Sequence, residues 1–162
     1  MATLSVLKFP TPEGAQHMKS TLLDLQKQHL IEVQDAAIVT WPQGAKKPKT
    51  QQLHSLAGQG ALMGAFWGML FGLLFFIPFF GLAVGAAMGA LSGKFADYGI
   101  DDNFIKQTRE KVTEGTSALF LLTSGAVMDK ITPAIKDQKF EIISTNLSKE
   151  QEDQLRATFS AE

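Results

Sequence analysis

Three histidines and one acidic group are the side chains of this sequence best suited to metal or proton chemistry. The histidines are His17, His29 and His54, and the acidic group is Asp97, Asp101 and Asp102 beside Tyr98. The histidines lack the regular spacing of a metal site, which indicates solvated side chains. The acidic group precedes a predicted helix, where carboxylates cap the N-terminus and interact favourably with the dipole; a cation site is the less favoured interpretation. We therefore predict no metal site.

Glycine and serine patterns also give no indication of a reaction. The run GQGALMG at residues 58–64 superficially matches a dinucleotide-binding loop, but it lacks the preceding strand and the later acidic residue that such a loop requires. Ser117, Ser124 and Ser144 occupy no Gly-x-Ser-x-Gly turn. Core packing explains Trp67 better than ligand stacking does. We predict that the protein is not an enzyme, with no cofactor and no small-molecule substrate identified.

Composition restricts the remaining function classes. The 162 residues include 15 Lys and Arg against 16 Asp and Glu, a net charge of -1. A nucleic-acid-binding protein usually has a basic surface, so we predict no nucleic-acid partner. The chain contains no cysteine, which excludes disulfides, thiolate metal sites and a cysteine nucleophile.

The polar parts of the chain predict an α+β fold, a ferredoxin-like split βαβ domain interrupted by a glycine-zipper hydrophobic helical hairpin. Its first half, residues 1–50, reads as a strand, a helix with Thr11 as N-cap, and a second strand with a bulge near Asp35. In this topology the first and third strands are central. The two continuous apolar strands, at residues 3–9 and 117–122, suit those positions.

The second half, residues 97–162, repeats the order and adds a C-terminal helix. It reads as a helix that begins at Asp101 or Asp102, the strand at 117–122, a short helix at 129–137 and a strand at 139–145. Ser148 and Gln151 are placed to form a capping box at the start of the terminal helix.

Residues 51–96, between the two halves, form an apolar insert. From residue 50 to residue 93 there is no Asp, Glu, Lys or Arg, and glycine recurs at every fourth position in two series. Such glycines line one side of a helix and let a second helix approach closely. We predict self-association through Gly60, Gly64, Gly68 and Gly72 in the first series, and Gly81, Gly85, Gly89 and Gly93 in the second.

Proline separates the two series, so the insert is predicted to be a helical hairpin that turns at Ile77, Pro78 and Phe79. Each arm has about the 20 residues that a membrane-crossing helix needs. Lysines flank both ends of the insert, and the positive-inside rule then places both termini in the cytoplasm. We therefore predict a membrane protein that contacts membrane lipid and itself.

Several segments together resemble a known family. The runs DLQKQHLIE, GAFWGMLFGLLFFIPFFG, GKFADYGIDDNFIKQ, SALFLL and LSKEQEDQLR are similar to those of a bacterial family of membrane proteins of unknown function, some of them described as related to general-stress proteins. The resemblance covers most of the chain. It implies membrane association, in the inner membrane of a bacterium, and it implies no established reaction and no catalytic residue.

Three function classes follow from these observations. The main prediction is a non-enzymatic, homo-oligomeric membrane-associated protein whose cytoplasmic ferredoxin-like domain serves assembly or interaction, with a stress-related role implied by the resemblance. One alternative is a soluble oligomer that buries the apolar hairpins in a shared core as a binding or sensing module. A further alternative is a small pore or transporter, although the arms carry little of the polar lining that conducting pathways need.

Overall fold

A computed structural model shows an α+β protein built on one antiparallel sheet. It describes residues 2–28, 33–53, 64–76, 94–124 and 139–159. The strands are β1 (Ala2–Phe9), β2 (Val33–Thr40), β3 (Lys49–Gln52), β4 (Ser117–Ser124) and β5 (Glu141–Leu147). They lie in the order β3-β2-β4-β1-β5, and every neighbouring pair is antiparallel. β1 and β4 each have a strand on both sides, in agreement with their continuous apolar sequences.

Strand β2 contains an irregularity that changes which face its residues meet. The register of its pairing with β4 shifts between Val33 and Asp35. Val33 consequently joins the same buried cluster as Ala36 and Ile38, whereas Ala37 belongs to the cluster on the opposite face. One extra residue in a strand produces this reversal of the alternation. The bulge predicted near Asp35 is confirmed.

Helix α1 (Gly14–Lys27) covers one face of the sheet, with Ala15, Met18 and Leu22 buried beneath it. The prediction of Thr11 as its N-cap is wrong, because Glu13 occupies that position and makes no side-chain cap bond. Ser117 of β4 satisfies this end of the helix instead. Its Oγ accepts from the Ala15 amide at 3.0 Å and donates to the Thr11 carbonyl oxygen at 2.7 Å.

Helical segments of the described ranges cover the other face of the sheet. They are α2 (Gly64–Phe71), a π-helical segment (Gly72–Phe76) that continues it, α3 (Asp102–Lys111) and α4 (Lys149–Phe159). Residues 94–97 are also helical. A large apolar cluster fills the space between these segments and the sheet, with Phe120 of β4 buried at its centre beside Phe71.

Two helix starts agree with the sequence. The Asp101 carboxylate accepts from the Phe104 amide at 2.9 Å and caps α3. At α4 the Gln151 amide donates to Ser148 Oγ at 3.2 Å, and the Ser148 amide donates to Gln151 Oε1 at 2.8 Å. This reciprocal pair is the predicted capping box.

The structure of the insert differs from the membrane-crossing hairpin predicted from the sequence. In the described part of the chain, no helix combines the length and the apolar character needed to cross a membrane. Phe66, Leu70 and Leu73 are buried against the sheet of their own chain, so protein supplies the contacts that were assigned to lipid. The predictions of a membrane protein with transmembrane helices, and of an inner-membrane location with both termini cytoplasmic, are wrong.

Other predictions concern residues that are not described. The turn at Ile77, Pro78 and Phe79, the second glycine arm at residues 81–93 and the short helix at 129–137 lie outside the described ranges.

Candidate functional site

A buried carboxylate, that of Asp35, lies beneath helix α2 at the bulge of β2. Asp35 is fully buried. Its Oδ2 accepts a hydrogen bond from Trp67 Nε1 at 2.9 Å, and its Oδ1 accepts from the Ala36 amide at 2.8 Å. The Gln52 side-chain amide lies 3.3 Å from Oδ1 and 3.1 Å from Oδ2. A buried carboxylate is strongly destabilising unless such donors replace its water.

These hydrogen bonds join three elements that are distant in the chain. Asp35 belongs to β2, Gln52 ends β3 and Trp67 lies in the insert. The Trp67 ring also stacks on Phe71, with centroids 5.8 Å apart, and meets Phe120 edge-on at 6.3 Å. Because the indole N–H has only one direction in which to donate, the bond to Asp35 fixes the rotation of α2 over the sheet.

A second polar contact holds the π segment. Arg109 of α3 donates from Nη2 to the carbonyl oxygen of Leu73. Partial burial lowers the pKa of Arg109 from its ordinary value through desolvation, although an arginine remains charged at any pH where proteins fold. A π turn moves backbone carbonyls out of the regular helical ladder. A guanidinium is well suited to bind such a carbonyl, since it carries several donors.

One glycine of the first series, Gly68, is exposed on the outer side of α2. Gly64 begins the helix, Gly68 is exposed and Gly72 is half-buried. A Cβ built on Gly68 or Gly72 meets no atom of the described chain within 4 Å. Gly60 and all four glycines of the second series lie outside the described residues.

The residues considered for metal chemistry do not converge in the described part of the chain. His17 is exposed on α1, and Asp97, Asp101 and Asp102 are exposed around the start of α3. His29 and His54 lie outside the described ranges. Within those ranges there is no group of three or more His, Asp or Glu side chains that could hold a metal ion. Asp101 has a structural role as the cap of α3.

Two surface depressions lie on the α1 side of the sheet. One has a volume of about 410 Å³ and is lined by Phe9, Pro10, Thr11, Gly14, His17 and Lys139. It adjoins the start of α1, a position that suits anions in many proteins. Here, however, the amides of residues 14–17 already donate to oxygens of the chain. The second depression, about 450 Å³, is lined by residues of α1, β2 and β3.

Sequence reasoning did not single out Asp35, Gln52 or Arg109 as residues of a site. One local signal was present, since Asp35 is the single carboxylate in the otherwise uncharged strand at residues 33–40. Its side-chain donors Gln52 and Trp67 lie far along the chain, and no short-range pattern connects them to it. Trp67 packs in the core as expected, and its hydrogen bond adds a polar function to that packing.

The fold and the site define a small α+β protein whose apolar insert helix is anchored to its own sheet through a buried carboxylate. Residues 61–160 match the family described as "Protein of unknown function (DUF1269)", and the chain belongs to this family. The match begins in the insert and ends in α4, so β1, α1, β2 and β3 precede it. It confirms the resemblance to a family of unknown function and carries no information on membranes or source. No curated protein and no solved structure matches the chain.

Proposed function

We propose that the protein is a non-enzymatic, self-associating interaction module with a ferredoxin-like sheet, in which protein covers the apolar insert on both sides. The sheet of the same chain covers the bulky side of α2. A second copy of the chain covers the side that carries the glycines. The observation that carries this proposal is the position of Gly68, exposed on the side of α2 turned away from the sheet.

The strand order supports the ferredoxin-like part of the proposal. With β3 set aside as an added edge strand, the remaining order is β2-β4-β1-β5. The two β-α-β units of a split βαβ fold interleave in this way, with the first strand of each unit in the centre. Helix α1 lies on one face, and the insert covers the face that a single helical layer would leave open.

The geometry of α2 supports the division into two sides. Successive residues of a helix are rotated by about 100°, so Gly68 lies about 160° around the axis from both Phe66 and Leu70. Phe66 and Leu70 are fully buried against the sheet. Gly68 therefore points almost directly away from the sheet, and a second backbone can approach there without displacing a side chain of the described residues.

The composition of the insert supports burial of this outer side. Surface helices normally present charged residues to water, but residues 51–93 contain none. Whatever α2 presents outward is therefore apolar or glycine. A helix side without charged residues suits contact with protein better than contact with water.

The test is the mass of purified Gly68→Leu measured by light scattering at several concentrations. A Cβ at Gly68 meets no atom of the described residues within 4 Å, but a leucine fills the proposed contact, and overpacking of a tight contact costs about 1–3 kcal/mol. We expect a shift of the mass toward the monomer, with folding retained. Ala157→Leu is the matched control, because it enlarges another exposed small residue on a helix and should leave the mass unchanged.

Gly68→Ala separates this explanation from an effect on the chain itself. Alanine stabilises an isolated helix by about 1 kcal/mol relative to glycine, so the variant should unfold later and yet associate less strongly. An oligomer of unchanged mass in Gly68→Leu, or a wild-type protein that is monomeric at all concentrations, would refute the proposal.

A further inference from the structure

The two edges of the sheet are protected to different degrees. Strand β3 forms one edge; it has only four residues, and exposed Lys46, Lys47 and Lys49 lie at or just before it. Short length and lysine side chains are the usual means by which proteins prevent an edge from pairing with another chain. Strand β5 forms the other edge. It has seven residues, pairs with β1 without a bulge, and contains neither lysine nor proline.

Strand β5 also exposes an apolar side chain. The side chain of Ile142 is 44% exposed, and among the described residues it is the large hydrophobic residue that is exposed to solvent. Ser144 and Asn146 are exposed on the same face of the strand. Among the described helices on this side of the sheet, α1 packs on β1, β2 and β4 rather than on this part of the face of β5.

We propose that β5 pairs antiparallel with β5 of a second copy, so that two sheets join into one of ten strands. The pairing is centred on Ser144, the middle residue of the strand, and then uses all seven residues. Ile142 of each copy lies opposite Asn146 of the other. The main-chain hydrogen bonds supply the affinity, as they do when any strand is added to a sheet edge.

The charges of β5 favour this arrangement. Its one charged residue, Glu141, is already paired with Lys8 at 3.6 Å and with Lys111 at 3.7 Å. In the centred register the two Glu141 residues lie at opposite ends of the new ladder, about 20 Å apart at 3.4 Å per residue. This exceeds the screening length of about 8 Å at physiological salt. Pairing of two β3 edges would instead bring two clusters of lysine together.

This contact goes beyond the proposed function, because it lies on β5 and does not involve α2. If both contacts form, each copy binds two others and the assembly grows beyond a dimer, whereas either contact alone gives a closed dimer. The two inferences can therefore fail separately.

The absence of cysteine from the chain allows a direct test. Ser144→Cys places one thiol at the centre of the proposed pair, and residues directly opposite in an antiparallel pair have Cβ atoms about 4.5–5.5 Å apart. We expect a short thiol-specific crosslinker to convert most of this variant to a covalent dimer. Gln51→Cys, at an exposed position of the β3 edge, is the matched control and should remain a monomer on a denaturing gel.

Ile142→Lys in the Ser144→Cys chain adds the protection that β3 already has, and it should abolish the crosslink. Equal crosslinking of Ser144→Cys and Gln51→Cys would overturn the inference, as would a crosslink that persists in the Ile142→Lys chain. The same experiment in a Gly68→Leu background distinguishes the two contacts. If association through α2 is lost and the β5 crosslink is retained, the result supports the strand pairing independently of the α2 contact. If the crosslink is lost and association through α2 is retained, the result refutes the strand pairing and leaves the α2 contact standing.

Discussion

Replacement of Trp67 by phenylalanine tests whether the buried carboxylate anchors the insert. The change removes the indole N–H that donates to Asp35 Oδ2 at 2.9 Å and keeps an aromatic ring in contact with Phe71 and Phe120. Asp35 then keeps its burial and loses a donor. The variant therefore separates the polar contribution of Trp67 from most of its apolar contribution.

The expected magnitude follows from the two groups involved. A hydrogen bond to a charged group contributes about 1.5–3 kcal/mol, and an incompletely satisfied buried acceptor adds to its loss. The smaller ring loses about a further 1 kcal/mol of packing. We expect Trp67→Phe to lower the free energy of unfolding by about 2–4 kcal/mol, a large part of the 5–15 kcal/mol typical of a domain.

A double-mutant cycle with Asp35→Asn isolates the hydrogen bond. The asparagine side chain has nearly the same shape but lacks the charge, and its NH₂ group must face some of the donors that surround Asp35. Residues that share a hydrogen bond show coupling energies of about 0.5–3 kcal/mol. The measurement is urea unfolding followed by far-ultraviolet circular dichroism, because this signal does not depend on the tryptophan that is removed.

The control cycle pairs Asp35→Asn with Phe9→Leu, because Phe9 lies on β1 in the buried cluster on the opposite face of the sheet. Those two changes should be additive within about 0.5 kcal/mol. A coupling energy of that small size for the Trp67 and Asp35 pair would refute the anchoring role. The burial of Asp35 would then need another explanation.

Two further predictions concern single side chains and use the same unfolding assay. Arg109→Met should lower the free energy of unfolding by about 1.5–3 kcal/mol, because it leaves the Leu73 carbonyl without this charged donor. Lys106→Met, at an exposed position of the same helix, should change the free energy of unfolding little. Equal effects of the two substitutions would show that the hydrogen bond from Arg109 to Leu73 does not stabilise the protein. Thr123→Val should raise the free energy of unfolding by about 1 kcal/mol, because Thr123 Oγ1 is buried and has no hydrogen-bond partner among the described residues. Thr145→Val should instead lower the free energy of unfolding, since the Thr145 hydroxyl donates to the Gly99 carbonyl at 2.7 Å. A gain in stability in Thr145→Val would show that hydrogen bonding of the hydroxyl does not decide the effect of these substitutions.

Features with short-range causes were predictable from the sequence. The cap of α3 at Asp101 and the capping box of Ser148 and Gln151 depend on residues three positions apart. The bulge of β2 was visible because its apolar residues change phase within a few positions. The start of α1 was not predictable, because its cap is Ser117, a residue 102 positions away from the Ala15 amide that it accepts from.

The surroundings of the insert were not predictable for a different reason. Transfer of a helix face of Phe, Leu and Trp out of water is favourable, and it is favourable in lipid and in a protein interior alike. The sequence therefore indicated that α2 is buried without indicating what buries it. The hydrogen bond from Trp67 to Asp35 distinguishes the two environments, because it requires a carboxylate from another part of the fold at the helix surface.

The order of the strands also has a consequence for synthesis. In the described sheet β1 lies between β4 and β5, and roughly 100 residues must be translated between β1 and β4. At about 5–20 residues per second this takes roughly 5–20 s. During that interval the apolar faces of β1 and the charge-free insert have emerged from the ribosome, but the strand that covers both has not. A nascent chain of this protein should therefore bind chaperones until β4 appears, and it should release them as the sheet closes.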